Sequence, residues 1–540
     1  MVDHVLSRIR DHIAKTPASP ALIGAAGITR FGELGERCAG IAAYLQGLPE
    51  GPLLVVGHKD HDCVAAMLAC SFVGRPFVFV DQSNPTKRIE RIAAIAGGKL
   101  ALVASSNIAL STIDCVDLHT IESLPIQGIP TDPVSDAKLF YIVFTSGSTG
   151  EPKGVAVTRS NYAMFDSWYG PLRHEHAERG AHVNHASLAF DMGMLDLWST
   201  LAIGEPVILL DHRNNVFTRK NMQLLSKSCM TSPASWFSTP SLLQIMCTDR
   251  KFCTGSFPQL KCFFVGGELV QKSLIRDLWC RFPEADIFHA YGPTEVTCVT
   301  HAKRLKPADL DVDDPLPLGP ALAPNTMHIL KSDGSLAAVN EPGELVLSGP
   351  QVAKGYLPSD HPHNVSFCLF QGEPSYRTGD LGHIDPSGHL VLQGRIDRQV
   401  KWNGNRIELD EIERVACLLP GVLQASCVPI KKNDRVSNII LFLQVSEGHG
   451  ITRDKAMLDM RQMLPQTMVP PDIRLMTTLP LTINGKIDTK ALRAIAEPET
   501  AQSSGTAPAR TKISMPLNTP LAGPFEPALA RDVSKEGIPT

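Results

Sequence analysis

Hydroxyl groups, glycines and one lysine follow an apolar, strand-like run in the segment YIVFTSGSTGEPKGV, residues 141–155. Its donors to a polyphosphate are the side chains of Thr145, Ser146, Ser148, Thr149 and Lys153, with backbone N–H groups freed at Gly147 and Gly150. A Walker A loop is excluded, because that pattern needs glycine and a hydroxyl residue where this chain has Pro152 and Gly154. A flexible Gly/Ser linker has a similar composition, but it needs neither the apolar strand nor the lysine. The segment therefore predicts a phosphate-binding loop.

Strands and helices must alternate around this loop. Buried strands are predicted at LLVVG (53–57), FVFVD (77–81) and residues 100–104. The same alternation of strands and helices continues through VILLD (207–211) and FFVGG (263–267). Helices are predicted between them, with Asp60 and Thr86 as caps. Short strands with turns begin near Thr326, a compact mixed region begins near Gly394, and residues 497–540 have the composition of a disordered tail.

Length and composition limit the classes of protein. The 540 residues exceed what one hydrophobic core usually organises, so two or three domains are expected. The net charge of −4, with no basic block, argues against a nucleic-acid partner. The 13 cysteines lie singly, which indicates a reduced chain without a cysteine-based metal site. The N-terminal helix is too charged for a signal peptide and no apolar run approaches a membrane span, so we expect a cytoplasmic protein without membrane insertion.

Further motifs follow the loop in a fixed order. They are YGPTE (291–295), GELVLSGPQVAKGYL (343–357), YRTGDLG (376–382), GRIDRQVKWNGNRIELDEIE (394–413), LPQTMVP (464–470) and NGKID (484–488). Together with the loop they resemble the ANL superfamily of adenylating, AMP-binding enzymes, which contains acyl-CoA synthetases, firefly luciferases and the adenylation domains of nonribosomal peptide synthetases. FDMGMLDLW (190–198), FSTPSLLQ (237–244) and FFVGGELV (263–270) are similar, more narrowly, to stand-alone D-alanine–carrier-protein ligases and to those adenylation domains.

The resemblance implies an α/β fold. We expect a large N-terminal domain (1–394) of parallel-rich sheets with helices and a β-rich subdomain, followed by a small mobile α+β domain (395–496) and the tail. By the same resemblance Asp397 is a hinge, and rotation there exchanges Lys486 for the loop from Lys401 to Arg406 between two half-reactions.

The resemblance also assigns the ATP site. Beside the loop residues named above, it implies that Tyr291 stacks on adenine, Thr294 binds the α-phosphate, and Asp380, with Arg395 nearby, accepts from the ribose hydroxyls. Glu295 would hold Mg²⁺, which needs few carboxylates. Lys486 is the expected principal catalytic residue, because an ammonium between an attacking carboxylate and the α-phosphate lowers their repulsion. His289 stands where the family usually has asparagine, so it would replace that amide beside the adenine or leave adenine recognition looser.

The same resemblance implies which residues form the substrate pocket. Asp191 matches the aspartate that pairs with the α-ammonium of an amino acid, although it could also be only a helix cap. Matching of the other pocket positions gives Met192, Leu195, Ser241, Phe264, Gly266, Ala290, Cys298 and Val299. These positions carry no second charge, which predicts a neutral side chain. D-alanine ligases have cysteine at the position of Gly266, so we expect an enlarged pocket here.

The acceptor and the reaction class complete the prediction. Residues 497–540 hold no carrier motif, so the acceptor of the aminoacyl group is expected to be the phosphopantetheine thiol of a separate carrier protein, as in nonribosomal peptide synthesis. Coenzyme A is the alternative acceptor, which would make the chain an amino-acid or carboxylic-acid CoA ligase. A non-catalytic AMP-binding scaffold is the alternative from another class. The presence of Lys486, Glu295 and Asp380 argues against it.

Overall fold

The computed structural model describes most of the chain. The described residues are 2–105, 108–131, 134–146, 151–176, 179–211, 214, 218–227, 232–311, 315–432, 435–446, 450–482 and 487–497. Residues Met1–Ala496 form one compact unit. The predicted tail, apart from Glu497, lies outside the described residues, as do Gly147, Ser148, Thr149, Gly150 and Lys486.

The elements alternate through the first two thirds of the chain. The α-helices are α1 Val2–Lys15, α2 Phe31–Gln46, α3 His61–Val73, α4 Thr86–Ala96, α5 Arg159–His176, α6 Asp191–Ala202, α7 Thr218–Lys227, α8 Pro240–Met246, α9 Lys272–Arg281, α10 Leu409–Cys417, α11 Arg453–Met460 and α12 Thr489–Ala496. The strands are β1 Pro20–Gly24, β2 Gly27–Arg30, β3 Leu53–Gly57, β4 Phe77–Asp81, β5 Leu100–Val103, β6 Asp114–Asp117, β7 Leu139–Thr145, β8 Lys153–Thr158, β9 Ala181–Asn184, β10 Val207–Leu209, β11 Pro233–Ser238, β12 Cys262–Gly266, β13 Asp286–Tyr291, β14 His301–Arg304, β15 Thr326–Leu330, β16 Gly343–Ser348, β17 Tyr356–Leu357, β18 Phe367–Phe370, β19 Glu373–Ile384, β20 Leu390–Arg395, β21 Gln399–Trp402, β22 Asn405–Glu408, β23 Val422–Lys432, β24 Arg435–Val445 and β25 Asp472–Met476.

Two large sheets form the centre of the fold. The order in one is β17-β8-β7-β4-β3-β5-β6, and in the other β14-β13-β12-β11-β9-β10-β1-β2. Their central strands run parallel, and antiparallel strands stand at one end of the first sheet and at both ends of the second. The strands β3 and β4 are buried along their whole length, as strands covered by helices on both faces should be. The expected α/β architecture is confirmed, and the predicted β-rich part is an antiparallel sheet of β15, β16, β19, β18 and β20.

Two predicted helix caps differ from the structure. Pro85 is the N-cap of α4, since its ψ of 142° is extended, and Thr86 is already the first helical residue. Asp60 is the N-cap residue of α3, but its side chain does not cap the helix and instead accepts from the N–H of His58 at 2.9 Å.

A buried histidine joins the two large sheets. His58, at the end of β3, lies 3.1 Å from Asp81 at the end of β4 and 2.8 Å from Asp211 after β10. Burial disfavours the charged ring, but the two carboxylates outweigh it and raise the pKa of His58 to about 9. The ring is therefore charged at neutral pH and is held between two anions.

Residues 395–496, called the C-terminal region below, have their own small sheet and core. The order of that sheet is β23-β24-β25, and its buried apolar residues cluster separately from those before residue 391. Division of the chain at residue 394 stays a prediction. None of the helices formed by the described residues is long and apolar enough to cross a membrane.

Candidate active site

A cavity of about 100 Å³ lies where the carboxyl ends of β12 and β13 meet the first turn of α6 and the β21–β22 hairpin. Ligands of parallel sheets bind at this end of the strands. The residues that line it are Ala186, Phe190, Asp191, Met192, Phe237, Thr239, Gly266, Gly267, Ala290, Tyr291, Gly292, Pro293, Thr294, Cys298, Val299, Asp380, Arg395, Gln399, Lys401, Gly404 and Arg406. Residues that are far apart in the sequence, and that were predicted for substrate and nucleotide, therefore share one cavity.

Asp191 is the buried anion of this cavity. It is the first residue of α6, after the N-cap Phe190, and it is 8% exposed. Its Oδ1 accepts from the N–H of Met192 at 2.7 Å, whereas Oδ2 meets no donor with full hydrogen-bond geometry among the described residues. The side chains of Thr294 and Cys298 lie near the carboxylate and interact with it more weakly. Burial raises the pKa of Asp191, and the hydroxyl of Thr294 only partly offsets this. The helix turn thus uses one carboxylate oxygen and leaves the other for a cation in the cavity.

Gly266 lines the cavity, but the absent side chain does not enlarge it. The glycine ends β12 and lies in register with Ala290 of the parallel strand β13. A Cβ built on Gly266 would overlap the Ala290 carbonyl oxygen and lie 2.9 Å from its carbonyl carbon. The expectation of a larger pocket is therefore wrong, because the space beside this glycine is filled by the neighbouring backbone.

The other two predicted substrate residues differ in position. Cys298 lines the cavity with a φ of 71°, directly after Thr297 with a φ of 53°. This left-handed turn folds over Gly292, where a Cβ would lie 2.7 Å from Val299 Cα. Phe264 is 1% exposed and stands outside the cavity, stacked on Phe288 with ring centroids 4.8 Å apart. Phe264 therefore supports the cavity from within the core.

The predicted nucleotide residues converge from two sheets. Tyr291 ends β13, and its hydroxyl donates to Oδ2 of Asp380 on β19. Arg395 lies opposite Asp380 on β20 and donates to its Oδ1 at 2.6 Å. Arg395 also donates twice to Asp397, at 2.7 Å each. The predicted adenine, ribose and hinge residues thus form one chain of contacts, with the ammonium of Lys401 5.9 Å from the Tyr291 ring centroid.

His289 lies two residues before Tyr291 on the same strand and does not line the cavity. Burial lowers the pKa of His289 to about 4, and the backbone carbonyl of Pro317 accepts one of its ring N–H groups. The other ring nitrogen, Nδ1, has no hydrogen-bond partner among the described residues. The structure therefore shows His289 as a neutral, buried ring behind the cavity, and its role beside adenine stays a prediction.

The described part of the phosphate loop is buried. Thr145, Ser146 and Lys153 are 8%, 5% and 3% exposed, and the Thr145 hydroxyl has no partner among the described residues. Burial lowers the pKa of Lys153, and Arg406 lowers it further. Gly147, Ser148, Thr149, Gly150 and Lys486 were also predicted here, but they lie outside the described residues.

Glu295 is the predicted magnesium ligand. Its side chain is fully buried, and Nη1 of Arg406 lies 2.7 Å from Oε2 and 3.0 Å from Oε1. Burial alone would raise the pKa of Glu295, but Arg406 and Lys153 outweigh it and lower the value to about 2. A single ionised carboxylate near phosphate-binding residues fits Mg²⁺, which takes phosphate oxygens and waters as its other ligands. No group of three or more His, Cys, Asp or Glu side chains in the described parts of the chain is placed to hold a metal alone.

Sequence reasoning placed the loop 401–406 at the site but missed its partners. Tyr356 donates through its hydroxyl to Glu295 and lies under the ammonium of Lys153, 4.8 Å from the ring centroid. Glu268 accepts from the N–H of Gly404 and pairs with Arg435 at 2.7 Å. Both residues stand in motifs named above, at 343–357 and 263–270, so the sequence carried a signal for them. The contacts of Tyr356 with Glu295 and Lys153 lie within residues 153–356, whereas the contacts of Glu268 depend on how the C-terminal region packs.

Comparisons with known proteins give matches along most of the chain. A family model described as AMP-binding enzyme matches residues 9–357. D-alanine--D-alanyl carrier protein ligases of Bacillus cytotoxicus and Bacillus anthracis are 29% and 30% identical, each over 90% of this chain and 98% of its relative. Among solved structures, the Vibrio cholerae adenylation domain AlmE, in complex with glycyl-adenosine-5'-phosphate, is similar with a TM-score of 0.79 and 21% identity, over 92% of this chain and 98% of that one. PA1221, which contains adenylation and PCP domains, has a TM-score of 0.76 and 24% identity, over 92% and 97% of the two chains.

Proposed function

Because the chain belongs to the family of AMP-binding enzymes, we propose that it uses ATP to convert an amino acid with a neutral side chain into its aminoacyl-AMP. It then transfers the aminoacyl group to the phosphopantetheine thiol of a separate carrier protein. Relatives of nearly the same length are carrier protein ligases, which supports the second step.

The observation that carries the proposal is the free carboxylate oxygen of Asp191. A buried charge without a partner is costly, and the unpaired Oδ2 of a carboxylate that lines the cavity calls for a cation. The α-ammonium of an amino acid supplies that cation, whereas a fatty or aryl acid would leave Asp191 unpaired. The substrate class is therefore amino acids rather than simple carboxylic acids.

The neutrality of the recognised side chain follows from where the other charges lie. Asp380, Arg395, Lys401 and Arg406 line the same cavity. Asp380 and Arg395 stand at predicted nucleotide positions, and Lys401 and Arg406 belong to the loop predicted to enter the site for the second half-reaction. The rest of the lining, Asp191 apart, is uncharged and includes the apolar or weakly polar residues Met192, Phe237, Gly266, Ala290, Cys298 and Val299. A charged substrate side chain would meet no countercharge there.

In the first half-reaction the substrate carboxylate attacks the α-phosphorus of ATP, and the bond to pyrophosphate breaks. Thr145, Ser146 and Lys153 bind phosphate oxygens, and Lys486, in its sequence motif, supplies positive charge at the α-phosphate. Glu295 would hold Mg²⁺, which neutralises charge on the phosphate oxygens. Tyr291 and Asp380 hold adenine and ribose. In the second half-reaction the thiol attacks the carbonyl carbon and AMP leaves.

Exchange of radioactive pyrophosphate into ATP tests the first step directly. Purified protein is assayed with each amino acid in both configurations and with the matching des-amino acids. Exchange with a neutral amino acid only is the expected result. Exchange with no acid would favour the AMP-binding scaffold instead, and exchange with des-amino acids alone would remove the role of Asp191.

The acceptor is tested separately. The aminoacyl-AMP formed in the first assay is offered either a phosphopantetheinylated carrier protein or coenzyme A, and the thioester is measured by mass spectrometry. Transfer to the carrier alone is expected. Transfer to coenzyme A alone would assign the chain to the CoA ligases.

A further inference from the structure

One strand of the C-terminal region contacts three of the residues predicted to bind the triphosphate and its metal. The strand is β22, Asn405–Glu408. Ser146 donates its hydroxyl to the carbonyl of Arg406 at 2.9 Å and accepts from the N–H of Glu408 at 3.2 Å. In this domain orientation the strand therefore lies in the phosphate site itself.

The side chains of β22 place an opposite charge beside each of two charged residues of that site. The guanidinium of Arg406 lies on both oxygens of Glu295, where a magnesium ion would be held. The carboxylate of Glu408 lies 3.7 Å from the ammonium of Lys153, where a phosphate oxygen would be held. Glu295, Lys153 and Glu408 are 0%, 3% and 5% exposed, so each charge in the closed site has its partner nearby in a dry environment.

We propose that β22 is a built-in replacement for magnesium pyrophosphate, with Arg406 in place of the metal and Glu408 in place of a phosphate oxygen. The proposal rests on the proposed function, in which pyrophosphate leaves after the aminoacyl-AMP forms. Since strand and product compete for Ser146, Lys153 and Glu295, closure excludes pyrophosphate from attack on the aminoacyl-AMP. The reverse reaction is thus suppressed while the thiol acts.

Contacts outside the phosphate site hold the same orientation. Arg88 of α4 donates to Glu411 of α10 at 2.6 Å, and Arg435 of β24 pairs with Glu268 beside β12. The N–H of Gly404 donates to the same Glu268. Two backbone N–H groups of the hairpin, those of Gly404 and Glu408, therefore depend on contacts with residues before 395 and become free when the region opens.

Amide hydrogen exchange followed by mass spectrometry tests the competition without any amino acid. The full-length protein is titrated with magnesium pyrophosphate, and exchange is measured in peptides that cover residues 402–408. Magnesium pyrophosphate is expected to increase exchange at Gly404 and Glu408. Magnesium or pyrophosphate alone, each replacing only one of the two charges, should have a smaller effect. Calorimetry gives the concentration of magnesium pyrophosphate at which the site is filled. If amide exchange at residues 402–408 does not increase at that concentration, the proposal is overturned.

Two variants test the two charges separately. Glu408→Gln removes the carboxylate charge beside Lys153 in the closed site, and Arg406→Gln removes the guanidinium that lies on both oxygens of Glu295. Removal of one member of a buried pair strongly weakens the closed arrangement. Each variant should therefore lower the magnesium pyrophosphate concentration for half-maximal exchange by at least about tenfold. Arg414→Gln, on an exposed residue of α10, makes the same change of charge as Arg406→Gln; it is the matched control for that variant and should leave the concentration unchanged.

The outcomes separate this proposal from the proposed function. Equal midpoints for Glu408→Gln, Arg406→Gln and the control, in a protein that still exchanges pyrophosphate into ATP, would overturn the charge replacement and leave the amino-acid ligase standing. Opening by magnesium pyrophosphate in a protein that forms no adenylate with any acid would overturn the proposed ligase and leave the charge replacement standing.

Discussion

The exchange Asp191→Asn tests whether the buried carboxylate recognises the substrate's ammonium. Asparagine keeps an oxygen that accepts from the Met192 N–H, so the first turn of α6 is preserved while the charge is lost. The expected result is a loss of selectivity for amino acids over the same acids without an amino group. A cap role alone would predict no such change.

The magnitude follows from the environment of Asp191. Two unit charges 4 Å apart at an effective dielectric constant of about 20 attract by about 4 kcal/mol. Loss of one partner of a buried pair costs about 3–5 kcal/mol, which agrees. At about 1.4 kcal/mol for each factor of ten, the specificity constant for the amino acid should fall by roughly three decades. The constant for the des-amino acid should stay nearly unchanged.

The assay is pyrophosphate exchange with the preferred amino acid and its des-amino analogue, at saturating ATP. Asp196→Asn is the matched control, because Asp196 is buried on the same helix but binds His182 and Asn184 instead of facing the cavity. It should lower the melting temperature without altering selectivity. An equal loss for both acids in Asp191→Asn would refute the ammonium role.

Three further outcomes are expected. Gly266→Cys should reduce pyrophosphate exchange for small and large amino acids alike, because the added side chain would push against the Ala290 backbone; a loss confined to large amino acids would restore the pocket interpretation. Lys486→Ala should abolish adenylate formation but spare thiol transfer from supplied aminoacyl-AMP, and single-turnover assays that find equal losses would make the lysine structural. The charged His58 has a pKa raised from 6.5 to about 9, so its stabilisation is complete below about pH 6.5 and is lost as the pH rises through about 9; thermal melts should show this loss in the wild type and not in His58→Gln.

The sequence alone predicted the chemistry of individual residues and the order of the strands and motifs along the chain. The strands at 53–57 and 77–81 were predicted at their observed bounds, because they are continuous apolar runs with clear breaks. Asp191, Tyr291, Thr294, Asp380 and Arg395 were assigned to one site through motif order. These residues do meet at one cavity.

Only the tertiary structure decided what surrounds each of these residues. The sequence predicted that Gly266, which has no side chain, leaves open space in the pocket. In the structure the register of β12 and β13 places the Ala290 backbone in that space. Phe264 was a pocket residue by position, but ring stacking holds it in the core. A sequence motif records which residue types recur at a position and carries no distances to other segments.

The same reason applies to the contacts of β22. Its motif, GRIDRQVKWNGNRIELDEIE, indicated a loop that enters the site, yet the partners of Arg406 and Glu408 lie more than 100 residues away in the chain. Whether the half-buried Arg406 faces a carboxylate or a phosphate depends on the orientation of the whole C-terminal region. The sequence alone thus determined that an arginine and a glutamate stand at 406 and 408. Packing of the C-terminal region decided which charges they pair with, and hence the proposed competition with pyrophosphate.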